Sequence, residues 1–150
     1  MRSHVTAVVA ALLILSGCAT AKLDRPDDIP APELRIGRGS GPTTTSGNSR
    51  LDGALSVLLR AEVVNRSDSD LMLDRIEVRS VGYGALNVPN TTVPLDLKVS
   101  ARDVAPFERW IATVIQPTIS GAGGPVTLQI TAYFETSDGR IFREIYTREF

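Results

Sequence analysis

The stretch ALSVLLRAEVV, residues 54–64, decides the fold, because its apolar side chains recur at every second position. A period of two is typical of a β-strand with one buried face and one exposed face. The predicted buried face carries Leu55, Val57, Leu59, Ala61 and Val63. The predicted exposed face carries Ser56, Arg60 and Glu62. This alternation predicts an antiparallel sheet that covers a core on one side only.

Two further stretches, TVPLDLKV at 92–99 and VTLQITAYF at 126–134, repeat this alternation. Their predicted inward side chains are Val93, Leu95, Leu97 and Val99, and then Val126, Leu128, Ile130, Ala132 and Phe134. Their predicted outward side chains are Asp96 and Lys98, and then Thr127, Gln129, Thr131 and Tyr133. Three strands of this kind predict an all-β protein.

Less regular apolar runs at 71–81, 107–115 and 140–150 predict three more strands, and the region 83–88 predicts a seventh. Turn-forming residues separate these runs at 65–70, 88–90, 120–125 and 137–139. Six to seven short strands in about 100 residues predict an immunoglobulin-like antiparallel β-sandwich over residues 51–150. No stretch predicts a helix, an internal repeat or a second domain.

The charges of the strands at 54–64 and 71–81 favour one register between them. Placing Leu59 opposite Val78 and Ala61 opposite Ile76 would also create two pairs of opposite charge on the outer face. These pairs are Glu62 with Arg75 and Arg60 with Glu77. The same register would point Asp74 towards Val63, so it predicts a β-bulge near Asp74 and Arg75.

The region 51–150 resembles known small sandwich domains. Its first strand ends in Val64-Asn65-Arg66-Ser67 and is followed by a strand with Leu71, Leu73 and Ile76. This pattern is similar to the LEA14/WHy and FxLYD-type families. The resemblance is one of architecture, since neither the NPN triplet of the WHy proteins nor the FxLYD motif is present. It implies a binding or protective module and transfers no site residue.

Residues 1–17 have the features of a bacterial lipoprotein signal peptide. The apolar run VTAVVAALLIL, at 5–15, is shorter than the 20 or so residues that span a bilayer. It ends in Leu15-Ser16-Gly17-Cys18, which resembles the lipobox of bacterial lipoproteins at all four positions. The resemblance implies cleavage before Cys18 and acylation of that cysteine with palmitate-type chains.

An acylated Cys18 would hold the mature chain on a membrane, because two or more acyl chains give stable anchoring. The next residue is Ala19, not the aspartate that retains many enterobacterial lipoproteins in the inner membrane. The resemblance therefore implies the outer membrane, facing the periplasm. The alternative is an ordinary secretory signal peptide that is cleaved nearby, with Cys18 incidental.

Residues 18–50 contain many Pro, Gly, Ser and Thr residues and show no sustained period. This composition predicts a flexible tether, and the 32 residues from 19 to 50 would have an r.m.s. reach of roughly 30 Å. The alternative is a partly ordered segment in which Glu33 to Gly37 add an edge strand.

The mature chain would offer few reactive side chains. His4 is the only histidine and Cys18 the only cysteine, so the signal peptide removes one and lipid occupies the other. This excludes Ser-His-Asp and Cys-His catalysis, His/Cys zinc sites and disulfides. We therefore predict no enzyme, no cofactor and no metal. Sixteen basic and 17 acidic residues also argue against a nucleic-acid partner.

Three groups of polar residues could carry chemistry but have simpler interpretations. NRSDSD, at 65–70, is rich in oxygen ligands but lacks the spacing of a calcium loop, which favours a hairpin turn. A hydrolase would need two carboxylates about 5–9.5 Å apart, and no pattern pairs any two of Asp27, Asp28, Glu62, Glu77, Asp96 and Glu108. Phosphate or lipopolysaccharide could be bound by Arg140, Arg143 and Arg148, but Glu144 and Glu149 interleave with them.

The aromatic residues are also ambiguous. Trp110, with Phe107 before it, is predicted to lie in the core, because a lone tryptophan on a sandwich strand is usually buried. If exposed, it would be a carbohydrate or protein contact. Phe150 ends the chain as in many outer-membrane barrels, but Arg148 occupies a position that would face lipid, which favours a last sandwich strand.

These features predict a membrane-anchored envelope lipoprotein that acts as a non-catalytic binding or scaffolding module. It would meet another envelope protein through a sheet edge or a loop cluster. The alternative is a small-ligand carrier or hydrolase of the cell envelope that uses Asp, Glu, Arg and Tyr side chains in a concave pocket.

Overall fold

The protein is all-β within the residues that the computed structural model describes, which are 23–37, 41–44, 55–81, 86–115 and 126–149. Its strands are β1 Glu33–Ile36, β2 Gly41–Thr44, β3 Leu55–Val64, β4 Leu71–Ser80, β5 Leu86–Asn87, β6 Thr91–Val99, β7 Val104–Ala112, β8 Val114–Ile115, β9 Thr127–Thr136 and β10 Ile141–Glu149. These ranges contain no helix long and apolar enough to cross a membrane. The predicted signal peptide, Cys18 and Phe150 lie outside the described residues, as does the first half, 83–85, of the predicted strand at 83–88.

Eight of these strands form two antiparallel sheets that pack face to face. They occupy seven positions, because β1 and β2 share one edge of β3. In sheet A, β7 pairs with one edge of β3, while β1 and β2 follow each other along the opposite edge. In sheet B, the strand order is β10-β9-β4-β6. β5 and β8 form a separate two-stranded pair. The predicted antiparallel β-sandwich of six to seven strands is therefore confirmed.

The core lies between the inner faces of the two sheets, where the period of two predicts it. The buried inner residues of β3 are Val57, Leu59, Ala61 and Val63. Those of β9 are Leu128, Ile130, Ala132 and Phe134. On β6, Val93, Leu95 and Leu97 are only partly buried, because this strand lies at the edge of sheet B. The alternation of a sequence thus identifies the inner face of each of these strands.

The predicted pairing of β3 with β4 is wrong, because the two strands lie in different sheets. Arg60 instead faces Glu108 of β7, with a 2.7 Å ion pair between them. Alternation determines which face of a strand is buried but not which strand lies beside it. The predicted irregularity is present, since the register of β4 shifts between Leu73 and Arg75 against both of its neighbours.

A buried asparagine joins the two loops that cross between the sheets. Asn65, 1% exposed, ends β3, and its Nδ2 donates to the carbonyl oxygens of Ser69, Val99 and Ser100 at 2.8, 3.1 and 3.1 Å. Its Oδ1 accepts from both the backbone N and the hydroxyl of Ser67, at 2.9 and 2.7 Å. We call this loop pair, residues 65–70 and 100–103, the Asn65 junction.

The acidic residues of the junction are occupied by internal partners. Asp68 accepts from Arg102 at 2.8 Å, and Asp70 accepts from Lys98 at 2.8 Å and from the Ala101 backbone N at 2.9 Å. These bonds hold the pKa of both carboxyls below the ordinary value. The turn interpretation of 65–70 is confirmed, although the turn crosses from sheet A to sheet B and does not form a hairpin.

Residues 23–37 pack on the sandwich, so the flexible-tether prediction is wrong for this part of 18–50. Glu33 to Ile36 form β1, as the alternative interpretation had it, and the Gly37 backbone N donates to the Arg60 carbonyl at 2.7 Å. Ile29 is buried in the core. The apolar alternation is too short to reveal this order, because only Leu34 and Ile36 of β1 repeat on the core side and the rest of the segment is held by isolated contacts. We call residues 23–37 the closing segment.

The closing segment connects the β10 edge of sheet B to the β1 edge of sheet A. The Arg143 backbone N donates to the Leu23 carbonyl at 2.9 Å, and Arg25 forms a 2.8 Å ion pair with Glu144. Further along, the Tyr146 hydroxyl donates to the Pro32 carbonyl at 2.7 Å. Burial raises the pKa of Tyr146, which keeps this donor protonated. The segment thus covers one open side of the sandwich.

Acid should weaken the closing segment through Glu33. Hydrogen bonds from Arg35 and Arg66 lower the pKa of Glu33 from its ordinary 4.5 to about 2. A carboxyl whose pKa is lower in the folded state stabilises the fold above the unfolded pKa and loses that contribution as pH falls through the folded pKa. Between about pH 4.5 and pH 2, urea unfolding of the wild type should therefore lose a stabilising contribution that Glu33→Gln lacks.

The control for this prediction is Glu135→Gln, which removes an exposed carboxylate that makes no ion pair within the described chain. It should keep the acid dependence of the wild type. A Glu33→Gln variant with an unchanged acid dependence would show that the Glu33 carboxylate is not paired with Arg35 and Arg66 in solution. The effect is modest, because exposed ion pairs are screened by solvent.

Candidate binding surfaces

The outer surface of sheet A exposes the single tryptophan. Trp110 of β7 is 52% exposed and lies opposite Leu58 of β3, and Val104 on the same side of β7 is 41% exposed. We call this surface the Trp110 face, and its members are Leu58, Arg60, Glu62, Val104, Pro106, Glu108 and Trp110. Large aromatic side chains exposed on a rigid strand are typical of binding surfaces.

The prediction that Trp110 lies in the core is therefore wrong. Phe107 and Ile111 of β7 are buried and lie opposite Ala61 and Val57, on the inner face of sheet A. Because side chains alternate along a strand, Trp110 has to point outward when Phe107 and Ile111 point inward. The sequence signal for this orientation is that Phe107 and Ile111 share one parity and each lies an odd number of residues, three and one, from Trp110.

An open groove of about 470 Å³ runs along the Trp110 face where β1 ends. Its lining residues are Gly37, Arg60, Ala61, Glu62, Pro106, Phe107 and Glu108. The ion pair between Arg60 and Glu108, with an Nε to Oε2 distance of 2.7 Å, lies within this groove. The groove combines an apolar wall with a charged pair. The apolar wall suits one apolar side chain of another protein, and the charged pair suits polar groups beside it.

The carboxylates considered for hydrolysis are spread over the molecule. Glu77 belongs to β4 and Asp96 to β6, so they lie in sheet B, whereas Asp28 in the closing segment forms an ion pair with Arg140 at 3.0 Å. Only Glu62 and Glu108 share the groove, at diagonal positions of neighbouring strands. Hydrogen bonds lower the pKa of each carboxyl with a resolved shift, namely Asp28, Glu33, Asp68, Asp70 and Asp138. A general acid needs the opposite shift.

The three arginines near the C-terminus have different surroundings. Arg140 forms ion pairs with both Asp28 and Asp138, which occupy its guanidinium. Arg140 lowers the pKa of Asp28, whereas the pKa of Asp138 is lowered mainly by a hydrogen bond from the Thr136 hydroxyl and secondarily by Arg140. Arg143 and Arg148 are exposed on β10, and neither side chain has an ion pair within the described ranges. These ranges also contain no group of three or more His, Cys, Asp or Glu residues that could hold a metal ion.

The outer surface of sheet B has a second exposed apolar pair on β10. Ile141 and Ile145 are 52% and 54% exposed, and the exposed Arg143 lies between them on the same side of the strand. Beside Arg143, Tyr133 of β9 is covered by the guanidinium of Arg75, whose Cζ lies 4.0 Å from the ring centroid. We call Ile141, Arg143 and Ile145 the β10 stripe.

The two sheet edges that the closing segment does not reach, β6 and β7, are poorly suited to pairing with another strand. Within the described chain, each of these strands pairs on one side only, as do β10 and β1 with β2 at the opposite edges. β6 contains Pro94, and Asp96 has a φ of 48°, while β7 contains Pro106. Proline removes a backbone donor, and a break in the strand bends the edge away from a partner. The sheet faces are therefore better candidates for binding than the edges.

Comparison with known proteins finds a distantly similar solved structure and no family. No protein-family model matches the chain, and no curated protein matches it. A solved structure described as a crystal structure of a protein from Archaeoglobus fulgidus is similar, with a TM-score of 0.48 and 11% sequence identity. The similarity covers 81% of this chain and 94% of that chain.

Proposed function

We propose that this chain is a lipoprotein of the bacterial cell envelope, anchored through an acylated Cys18, and that it binds another envelope protein through the Trp110 face. The lipobox Leu15-Ser16-Gly17-Cys18 supports the anchor. The half-exposed Trp110 on a strand with a buried inner face is the observation that carries the binding role. The default location is the outer membrane, facing the periplasm.

The Trp110 face has the composition of a protein interface. Trp110 and Val104 supply apolar area, and the Arg60–Glu108 pair between them is solvent-exposed and can exchange partners. A central aromatic surrounded by polar groups is the usual arrangement of residues that dominate binding energy. Since the β6 and β7 edges, which the closing segment does not reach, contain proline, we place the contact on the face and not on an edge.

A small-ligand carrier or hydrolase would use the same groove. Such a role would need a ligand to displace or bridge the Arg60–Glu108 pair, and hydrolysis would need Glu62 or Glu108 to act as a general acid. The lowered pKa values elsewhere on the surface give no support to this role. We therefore favour the binding module.

The anchor is tested by palmitate labelling of cells that produce the wild type or Cys18→Ala. Label should enter the wild type only, and globomycin should cause the unprocessed form to accumulate, because it blocks cleavage after lipid transfer. Absence of label from the wild type would contradict the lipoprotein proposal and favour an ordinary signal peptide.

The binding role predicts a large effect of Trp110→Ala on partner capture. A photo-crosslinking residue at position 104, which lies on the same face and leaves Trp110 in place, should give a discrete adduct in the membrane fraction. Trp110→Ala should weaken capture of that partner by roughly thirtyfold or more, the effect of losing a dominant interface residue. The fold should be unaffected, because the side chain is half exposed.

The matched control is the exposed Thr92 on β6 of the other sheet. A crosslinker at position 92 should give no such adduct, and Thr92→Ala should leave capture unchanged. Equal adducts at positions 92 and 104, or unchanged capture by Trp110→Ala, would exclude the Trp110 face as the interface.

A further inference from the structure

The point where the closing segment joins the sandwich limits how far the domain can move from its anchor. Five peptide units separate Cys18 from Leu23, and a fully extended chain spans at most about 3.6 Å per residue, or about 18 Å in all. A ten-residue strand such as β9 is about 33 Å long. The connection from Cys18 to Leu23 is therefore shorter than one long strand. The part of the domain around Leu23 must stay close to the bilayer, whereas more distant parts cannot reach it at the same time.

Leu23 is fixed at the middle of the β10 stripe. Its carbonyl accepts from the backbone N of Arg143, the central residue of that stripe, at 2.9 Å. The closing segment is also held further along by the Arg25–Glu144 ion pair and the buried Ile29. These contacts prevent the segment from peeling away to lengthen the connection.

The β10 stripe has the chemistry of a membrane contact. Ile141 and Ile145 are more than half exposed, and together they present two large aliphatic side chains on one side of an edge strand. Arg143 between them has no ion pair within the described residues, and a guanidinium binds phosphate oxygens well. Two exposed carboxylates, Asp24 and Glu135, lie nearby, so this surface is not a basic patch. Attraction between positive surface charge and anionic lipids therefore does not account for the proposed contact.

We propose that the β10 stripe rests on the phospholipid surface, with Ile141 and Ile145 in the interfacial layer and Arg143 at a lipid phosphate. This inference rests on the proposed acylation of Cys18. The Trp110 face belongs to the outer surface of the other sheet, so this orientation directs it away from the membrane and towards a partner in the aqueous space.

The test uses the full lipidated chain in vesicles of phosphatidylethanolamine and phosphatidylglycerol. Because lipid modifies the thiol of Cys18, Ile145→Cys provides a single free thiol for an environment-sensitive NBD label, and Val104→Cys provides the matched control on the Trp110 face. NBD at position 145 should shift to shorter wavelength and be quenched by nitroxide-bearing lipids. NBD at position 104 should show neither effect.

Ile141→Cys is the second reporter, in case the first variant does not fold, and it should behave as position 145 does. Ile145→Asp in the chain labelled at position 141 should abolish quenching while the protein still floats with the vesicles. Floating protein with unquenched labels at both 141 and 145, or with equal quenching at 104, would overturn the orientation and leave the anchor intact. Protein that takes up no palmitate and does not float would overturn the anchor, and the orientation with it.

Discussion

Phe134→Ala should destabilise the protein by about 4 kcal/mol, the usual cost of removing a buried aromatic ring. Phe134 of β9 is fully buried and stacks on Phe142 of β10, with ring centroids 5.4 Å apart and an interplanar angle of 22°. The alanine variant would lose the apolar contacts of the ring and leave a cavity between the sheets. The measurement is urea unfolding followed by far-ultraviolet circular dichroism.

Phe134→Leu provides the graded comparison, because leucine keeps much of the buried volume and should cost clearly less. An exposed apolar residue provides the surface control. Ile141→Ala, on the neighbouring strand, should change stability by less than about 0.5 kcal/mol. An alanine at 134 that costs no more than an alanine at 141 would contradict the position of Phe134 in the core.

Asn65→Ala should cost about 3 kcal/mol, since it leaves buried backbone groups without hydrogen-bond partners. The carbonyl of Val99 would lose its Asn65 donor, and the backbone N of Ser67 would lose its acceptor. The Asn65 junction joins the crossings β3 to β4 and β6 to β7, so both sheets should be affected together. Urea unfolding should remain a single transition with a lower midpoint.

Two companion variants separate hydrogen bonding from side-chain size at this position. Asn65→Asp keeps the acceptor for Ser67 but places an oxygen against three carbonyl oxygens, so it should be at least as destabilising as alanine at neutral pH. Asn90→Ala, at an exposed asparagine, should be neutral. A stable Asn65→Asp variant would show that these carbonyls have other donors.

The sequence predicts the faces of the strands well, because burial on one side imposes a period of two. Val57 and Leu59 of β3 and Ile130 and Phe134 of β9 are all buried as that period requires. The same period does not determine which strands pair with each other. Arg60 and Glu77 have opposite charges, but so do Arg60 and Glu108, and only the crossing at the Asn65 junction decides between them.

The candidate surfaces were harder to predict for two physical reasons. The prediction that Trp110 lies in the core rests on residue type alone. The positions of Phe107 and Ile111 on the same strand determine the direction of the Trp110 side chain. Apart from the four-residue ladder of β1 with β3, the closing segment is held by single contacts of Ile29, Leu23 and the Glu33 carboxylate. Such contacts leave no periodic pattern in a sequence rich in proline and glycine, so composition alone indicates a tether.

The outward direction of Trp110 makes the protein its own optical probe of contact. An indole in water emits at long wavelength, and unfolding would change its surroundings little, because the side chain is already half exposed in the folded state. Since the chain has no other tryptophan, a move of its emission to shorter wavelength would report coverage of this one surface by a partner. Candidate proteins from the envelope can therefore be screened by titration against the unlabelled chain.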